Sequence, residues 1–391
     1  MSAPKIFVSA GEASGDLHAS RLVEALRRRL PECRFAGFGG PRLAAAGMEL
    51  REDLVESSVM GLWPVLASLG DILGTVARFV EELIRDPPDL LVIVDYPGLN
   101  LNLARLARAR GVPVVSYICP QVWAWAPWRL RRVARRSDLL LVIVPFEEDL
   151  YRRVHSRVRY VGNPVFDHLA ALDAAAEGEA PLAVPAGRRP FALLPGSRRQ
   201  EVRDTLGAQL RVAAELAAED PRLLPIVSCQ RPALLGEIER AIAESPVAAE
   251  VVVGPAAPLQ RAAELALVCS GTATLEQAWF GTPMVVMYPA SEVERSLYRS
   301  FGVAPFFGLV NIFAGREVVP EVLFTPGEEE EVLRRARPLI AGEERERVCA
   351  DLRRLREERF VPGAAERAAE EIERFLAGAR AGSSPAALRS V

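Results

Sequence analysis

The stretch LLPGSRRQEV, Leu193 to Val202, passes from an apolar run through Pro195, Gly196 and Ser197 into a charged helix that opens with Arg198 and Arg199. A helix start presents unpaired backbone N–H groups and the positive end of the helix dipole, so cations there are unfavourable unless an anion lies among them. Gly196 and Ser197 supply the turn and Arg198 a fork of donors; each charge-assisted hydrogen bond contributes about 1.5–3 kcal/mol, which suits a diphosphate held without a metal. The structural alternative is that both arginines only solvate the helix and pair with Glu201.

SGTATLEQAWFGTP, Ser270 to Pro283, repeats the plan after the apolar run LALVC. Ser270 or Thr272 can cap the helix, Gly271 lets a ligand approach the backbone, and Glu276, one turn in, can accept both hydroxyls of a ribose. Ordinary capping accounts for the same Ser and Thr. In LLVIVDYPGLN, Asp95 ends a strongly apolar strand and Pro97 and Gly98 turn the chain at once. A partly desolvated carboxylate there has the raised pKa of a general base, or else it caps the next helix. SAGEASGD places Glu12, Ser14 and Asp16 around a tight turn; Asp16 can cap the following helix, whereas Glu12 has no local basic partner and either binds sugar hydroxyls or has a structural role.

Two stretches concern the surface. VMGLWPVLASLGDILGTVARFV puts Leu62, Trp63, Val65, Leu66, Leu69, Ile72 and Leu73 on too many faces for one helix packed on a core, which suits lipid contact or a buried helix. PQVWAWAPWRLRRVARR sets three tryptophans beside Arg129, Arg131, Arg132, Arg135 and Arg136, suited to a phosphate-bearing membrane surface or to a solvated basic helix.

The elements that must hold these turns are short runs rich in Val, Ile and Leu without polar alternation, separated by amphipathic stretches. This predicts parallel sheets covered on both faces. The 391 residues, half of them hydrophobic, suffice for two domains. The expected divisions are an N-terminal Rossmann-like domain over 1–172, a linker over 173–189, a C-terminal Rossmann-like domain over 190–325, C-terminal helices over 326–377 and a disordered tail over 378–391. Open α/β sheets bind ligands beyond the carboxyl ends of their strands, so the expected fold is two such domains facing a cleft, with the turns quoted above at its mouth.

A net charge of −3 argues against nucleic acid as a partner. His18, His155 and His168 are scattered, and the five cysteines lack zinc spacing, so no metal and no cofactor is expected. The first residues read as a strand and not as a signal peptide, and no run is long and apolar enough to span a bilayer. The cysteine usage fits a reduced cytoplasm.

Taken together, AGEASGD, VMG with its apolar run, PQVWAW, PFE, VGNP, LLPGSRRQEV, SGTATLE and NIFAGREVVPE occur in the order found in lipid-A-disaccharide synthases, and the chain resembles that family from about Ile6 to Leu323. The resemblance implies an inverting glycosyltransferase of the GT-B fold. It implies transfer of 2,3-diacylglucosamine from UDP-2,3-diacylglucosamine to the 6-hydroxyl of 2,3-diacylglucosamine 1-phosphate, releasing UDP. On it, Asp95 becomes the general base and Glu12 an acid of the acceptor-side turn. Gly196, Ser197, Arg198, Ser270, Gly271, Thr272, Glu276 and Asn311 become the UDP site.

The apolar stretch then becomes the membrane and acyl contact, Arg129, Arg131 and Arg132 meet lipid phosphate, and the protein sits peripherally on the cytoplasmic face of the inner membrane. Exchange of C-terminal elements within the family leaves room for a homodimer. Pro64, Cys119, Val310 and His18 depart from the family pattern. Two other readings use the same features: a UDP-N-acetylglucosamine 2-epimerase and a non-enzymatic, nucleotide-regulated membrane scaffold.

Overall fold

The computed structural model describes residues 3–55, 65–176, 182–291, 306–325 and 327–382. It divides into two compact units, Met1–Asp167 with Pro362–Val391, and His168–Val361.

The first unit runs β1 (Lys5–Ala10), α1 (Ala13–Arg29), β2 (Arg34–Gly39), α2 (Pro41–Ala45), β3 (Glu49–Asp53), α3 (Val65–Arg85), β4 (Leu90–Val94), α4 (Pro97–Ala109), β5 (Val114–Tyr117), α5 (Val122–Trp125), α6 (Leu130–Ala134), β6 (Leu139–Val142), α7 (Pro145–Arg152) and β7 (Val158–Tyr160). Helix α8 (Pro164–Ala175) leads into the second unit. That unit runs β8 (Arg189–Leu194), α9 (Arg199–Glu219), β9 (Leu223–Cys229), α10 (Leu235–Ala243), β10 (Glu250–Val253), α11 (Ala257–Ala262), β11 (Leu265–Cys269), α12 (Ala273–Trp279), β12 (Met284–Pro289), α13 (Leu309–Ala314), β13 (Glu321–Phe324), α14 (Glu330–Ala336) and α15 (Glu343–Arg359). A last helix, α16 (Ala364–Gly382), returns to the first unit.

The sheets have orders β3-β2-β1-β4-β5-β6-β7 and β10-β9-β8-β11-β12-β13, and every pairing is parallel. Continuous apolar runs are the reason: LLVIV of β4 and LALVC of β11 are buried at every position, as strands covered on both faces must be. In each sheet the strand order reverses at one place, β1 beside β4 and β8 beside β11, and there the crossovers diverge to opposite faces and leave a crevice.

Helix α3 is fixed to the first sheet by aromatic packing. Phe7 meets Phe38 edge-on at 5.0 Å and Phe79 of α3 at 5.2 Å between centroids. Lys5, the one lysine of the chain, is buried at the start of β1, where Nζ donates to Asp86 Oδ2 at 2.8 Å, to the Asp86 carbonyl at 2.6 Å and to Glu82. Three acceptors for three ammonium donors leave this buried charge satisfied.

The domain expectations change in three places. Helix α8 continues to Ala175, so residue 173, the expected linker start, lies inside a helix. Its Asp173 is tied to the second unit, accepting from Trp279 Nε1 at 2.7 Å and Arg261 at 2.9 Å. The helices expected together over 326–377 separate: α14 and α15 stay with the second unit, while α16 packs on α1, with Arg29 to Glu373 at 2.8 Å and the N–H groups of Ala364 and Ala365 capped by Asp167 at 3.1 Å. Helical periodicity reports that a face must be covered, not which helix covers it. Within the expected tail, α16 reaches Gly382; residues 383–391 lie outside the described residues.

Candidate active site

In the first unit the sheet brings the two acid-bearing turns together. Ala10 and Val94 are register partners at the ends of β1 and β4, so the turns carrying Glu12 and Asp95 leave side by side at the switch point. A side chain on Gly11 would run into the Tyr96 ring, and the Tyr96 phenol is pushed above its ordinary pKa by burial and then by the charge of Glu12. Three non-glycine residues with positive φ occur among the described residues: Asp95 (46°), Tyr96 (47°) and Ile118 (60°). All three follow the neighbouring strands β4 and β5, a concentration of backbone strain of the kind that accompanies sites.

The buried Asn100 holds that strain. Its Nδ2 donates to the carbonyls of Ser9, Val94 and Asp95 at 3.2, 3.1 and 2.7 Å, and its Oδ1 accepts from Ser9 Oγ at 2.7 Å. One amide therefore ties the end of β1 to the end of β4. Sequence reading passed over Asn100; the signal was an asparagine inside the first turn of a helix that follows a buried strand.

Two expectations for this unit are corrected. Asp95 is solvent-exposed and is not the cap of α4, whose N-cap position is Tyr96. Asp16 does not cap its own helix: buried within α1, it accepts from the N–H groups of Gly40, Arg42 and Leu43 at 2.8, 3.0 and 3.1 Å and so caps α2. The carboxylate fastens the turn after β2 next to the turn after β1.

In the second unit Leu194 and Val268 are register partners, and the PGSR and SGT turns leave together from β8 and β11. The PGSR turn is not an open anion cradle. Glu201 folds back over it, its Oε2 accepting from the N–H groups of Ser197 at 2.9 Å and Arg198 at 3.1 Å. Gly196, with φ of 108°, has no Cβ because Glu201 occupies that space. The Arg198 side chain pairs loosely with Glu201 at 3.3 Å and stays 70% exposed, whereas Arg199 turns away to Glu237 at 3.0 Å. The guanidinium of Arg198 is what this turn offers a ligand, at the rim of a cavity of about 540 Å³ that Asp204, Thr205, Cys269 and Tyr288 also line.

The SGT turn is the open one. Gly271 has φ of 150° and open space where a Cβ would be, and no described acceptor takes the N–H of Gly271 or Thr272. Thr272 stands at the N-cap of α12 without a side-chain capping bond, and Ser270 Oγ donates to the Phe307 carbonyl at 3.0 Å, so neither hydroxyl caps as expected. Glu276, one turn in, is part-buried, with Gln260 Nε2 donating to its Oε2 at 3.2 Å. Burial raises its pKa and the Gln260 bond works against that rise.

Asn311, expected beside the nucleotide, is fully buried and spent on the protein. It donates to the Val319 carbonyl at 2.9 Å and Glu321 at 3.0 Å, and accepts from the N–H groups of Val318 and Val319 at 2.8 and 3.1 Å. Glu321 in turn accepts from Phe307 and Gly308 at 3.0 and 2.9 Å, so the pair braces the segment to which Ser270 is bonded.

Of the surface residues, Leu62 and Trp63 lie outside the described residues, as do the side chains of Val65, Leu66 and Leu69. Leu73 is 67% and Trp128 76% exposed, whereas Trp123 of the same aromatic stretch is buried. Arg129, Arg131, Arg132 and Arg135 are exposed. Among the described residues no helix is long and apolar enough to cross a membrane.

Comparison with known proteins agrees with this architecture. The lipid-A-disaccharide synthetase family model matches residues 6–373. The lipid-A-disaccharide synthase of Myxococcus xanthus is 40% identical over 95% of this chain and 98% of its own, and that of Syntrophus aciditrophicus 37% identical over 94% and 97%. Among solved structures, a UDP-N-acetylglucosamine 2-epimerase of Listeria monocytogenes superposes with a TM-score of 0.68 at 13% identity, covering 96% of this chain and 97% of its own. The glycotransferase of kitacinnamycin superposes with 0.60 at 19% identity, covering 95% and 99%. At such identities these two carry the fold alone, so the epimerase reading gains nothing beyond it. A family match over nearly the whole length and relatives of this identity decide the matter: the chain belongs to the lipid-A-disaccharide synthase family, glycosyltransferases built on two Rossmann-like sheets.

Proposed function

We propose that the protein transfers 2,3-diacylglucosamine from its UDP carrier to the 6-hydroxyl of 2,3-diacylglucosamine 1-phosphate, and that Asp95, Arg198 and Glu276 carry the reaction. The acceptor oxygen attacks the anomeric carbon as its proton passes to Asp95, and the bond to the diphosphate breaks with its electron pair leaving on UDP. Arg198 and the N–H groups of Gly271 and Thr272 receive that charge, and Glu276 holds the ribose hydroxyls. Glu12, beside Tyr96, binds acceptor hydroxyls. The observation that carries this reading is the family match; incubation with both acylated sugars tests it. UDP release that requires both substrates supports transfer, and conversion of the UDP-sugar alone overturns it.

Glu276 makes UDP binding depend on pH. Ribose hydroxyls donate to the ionised carboxylate, so UDP favours the charged form, and affinity falls as pH drops through the raised pKa. Calorimetry across mildly acidic pH is expected to show that loss above the ordinary carboxylate range, and Glu276→Gln is expected to bind UDP weakly without it. A wild-type acid dependence no different from that of Glu276→Gln removes Glu276 from the ribose.

Peripheral binding to the cytoplasmic face of the inner membrane follows from substrates with acyl chains, each methylene of which gains about 0.8 kcal/mol on burial. Leu62, Trp63, Val65, Leu66, Leu69 and Leu73 make the acyl contact, and Arg129, Arg131 and Arg132 approach lipid phosphate. Serine at Leu62, Leu66 and Leu69 together is expected to abolish most sedimentation with anionic liposomes while UDP affinity is retained. Unaltered sedimentation puts the membrane contact elsewhere.

A further inference from the structure

Glu147 of the PFE motif has no part in the reaction drawn above, yet it is completely buried and forms no ion pair among the described residues. Its Oε2 accepts from the N–H groups of Ile143 at 3.2 Å and Val144 at 3.0 Å, closing the start of α7. Its Oε1 accepts from the indole N–H of Trp123 at 2.8 Å. The Trp123 ring stands edge-on to Phe146 at 4.8 Å, and Tyr151 Oη donates to the Pro120 carbonyl at 3.0 Å. The segment after β5, from Ile118 to Trp123, is thus hung from α7. That segment starts at the strained Ile118, and the N–H of Asp95 donates to the carbonyl of Tyr117, the residue before it, at 3.2 Å.

We propose that Glu147 is a positioning residue for the reaction at Asp95: by holding Trp123 it keeps the Ile118–Pro120 turn in the geometry that supports the Asp95 turn beside it. The inference rests on the transferase reading and deepens it. The chemistry of the three donors calls for a carboxylate, which accepts at both oxygens, whereas an amide has one acceptor oxygen and would set its NH₂ against an N–H. Protonation creates the same conflict. Burial pushes the Glu147 carboxyl up to about 7 against the pull of its three N–H partners. The titratable groups facing it are the Cys119 thiol and the Tyr151 phenol, both pushed up by burial and neutral at pH 7, and the charge of Asp95 reaches Cys119. Among these groups Glu147 is the one that changes charge near neutrality.

The test uses the full chain carrying Glu147→Gln, Trp123→Phe, or both. Trp123→Phe removes the N–H and keeps the ring, so a folded variant remains if the first is unstable. Expected are a kcat lowered roughly 10- to 100-fold in each single variant, as displaced catalytic geometry produces, and a KM for the UDP-sugar within about twofold of wild type. The double variant is expected to be no worse than the poorer single one, and amide exchange is expected to be faster over 118–126. The wild-type kcat is expected to decline below about pH 7, a decline missing from Glu147→Gln. Wild-type kcat in folded variants, losses that multiply, or a decline near pH 7 that persists in Glu147→Gln overturns the proposal. Should wild-type protein release no UDP, the transferase reading fails instead, and the exchange rates still decide whether Glu147 holds the turn.

Discussion

Asp95→Asn lowers kcat by roughly 10²- to 10⁴-fold, about 3–5 kcal/mol of barrier, while UDP affinity and Tm stay at wild-type values. The size is that of a lost general base, because an amide keeps the shape of the side chain and one acceptor oxygen but takes no proton. Asparagine is the informative replacement for a second reason. Asp95 has φ of 46°, and asparagine tolerates the left-handed region at least as well as aspartate, so the variant isolates the proton transfer from the backbone strain. Alanine mixes the two and costs stability as well. Steady-state turnover, UDP calorimetry and thermal unfolding on one preparation make the comparison. Turnover within a few-fold of wild type removes Asp95 from the base role, and the neighbouring Glu12 becomes the acid to examine.

Arg198→Ala weakens UDP binding by roughly 10- to 150-fold, the equivalent of one charge-assisted contact of about 1.5–3 kcal/mol. The turn itself survives the change, because Glu201 holds it through the N–H groups of Ser197 and residue 198, which alanine keeps. Arg199→Ala is the internal control. Its guanidinium faces Glu237, which also pairs with Arg203 at 3.2 Å, so its loss leaves UDP affinity within about twofold. Equal losses at both positions would mean that the electrostatic field of the helix start matters and the diphosphate contact does not. Unchanged affinity in Arg198→Ala counts against the diphosphate role altogether.

Part of this arrangement was legible in the chain. Buried parallel strands write themselves as unbroken apolar runs, and each of the four turns carried its glycine, proline or serine where the strand stops. Those signals are local, so both sheets and the positions of Glu12, Asp95, Arg198 and Glu276 after their strands could be read directly. The donors left for a ligand could not. Gly196 and Ser197 had the composition of an anion cradle, and Glu201, four residues past Ser197, fills it; the SGT turn has a similar composition and is open. Asn311 was expected beside the nucleotide on the family resemblance alone, since no local pattern in NIFAGREVVPE marks a ligand contact. Its four hydrogen bonds go instead to the segment from Val318 to Glu321.

Composition and periodicity determined by themselves that this protein has two α/β sheets, with strand ends bearing acids in the first half and, in the second, a cation at one helix start and a carboxylate one turn into another. Only the tertiary structure decided that Asp16 caps a helix other than its own, that α16 joins the first unit, that Asn100 ties β1 to β4, and that Glu147 carries Trp123. The reason is that a residue's type specifies how many hydrogen bonds it must make once buried, whereas its partners are chosen by strand order and by helices distant in sequence.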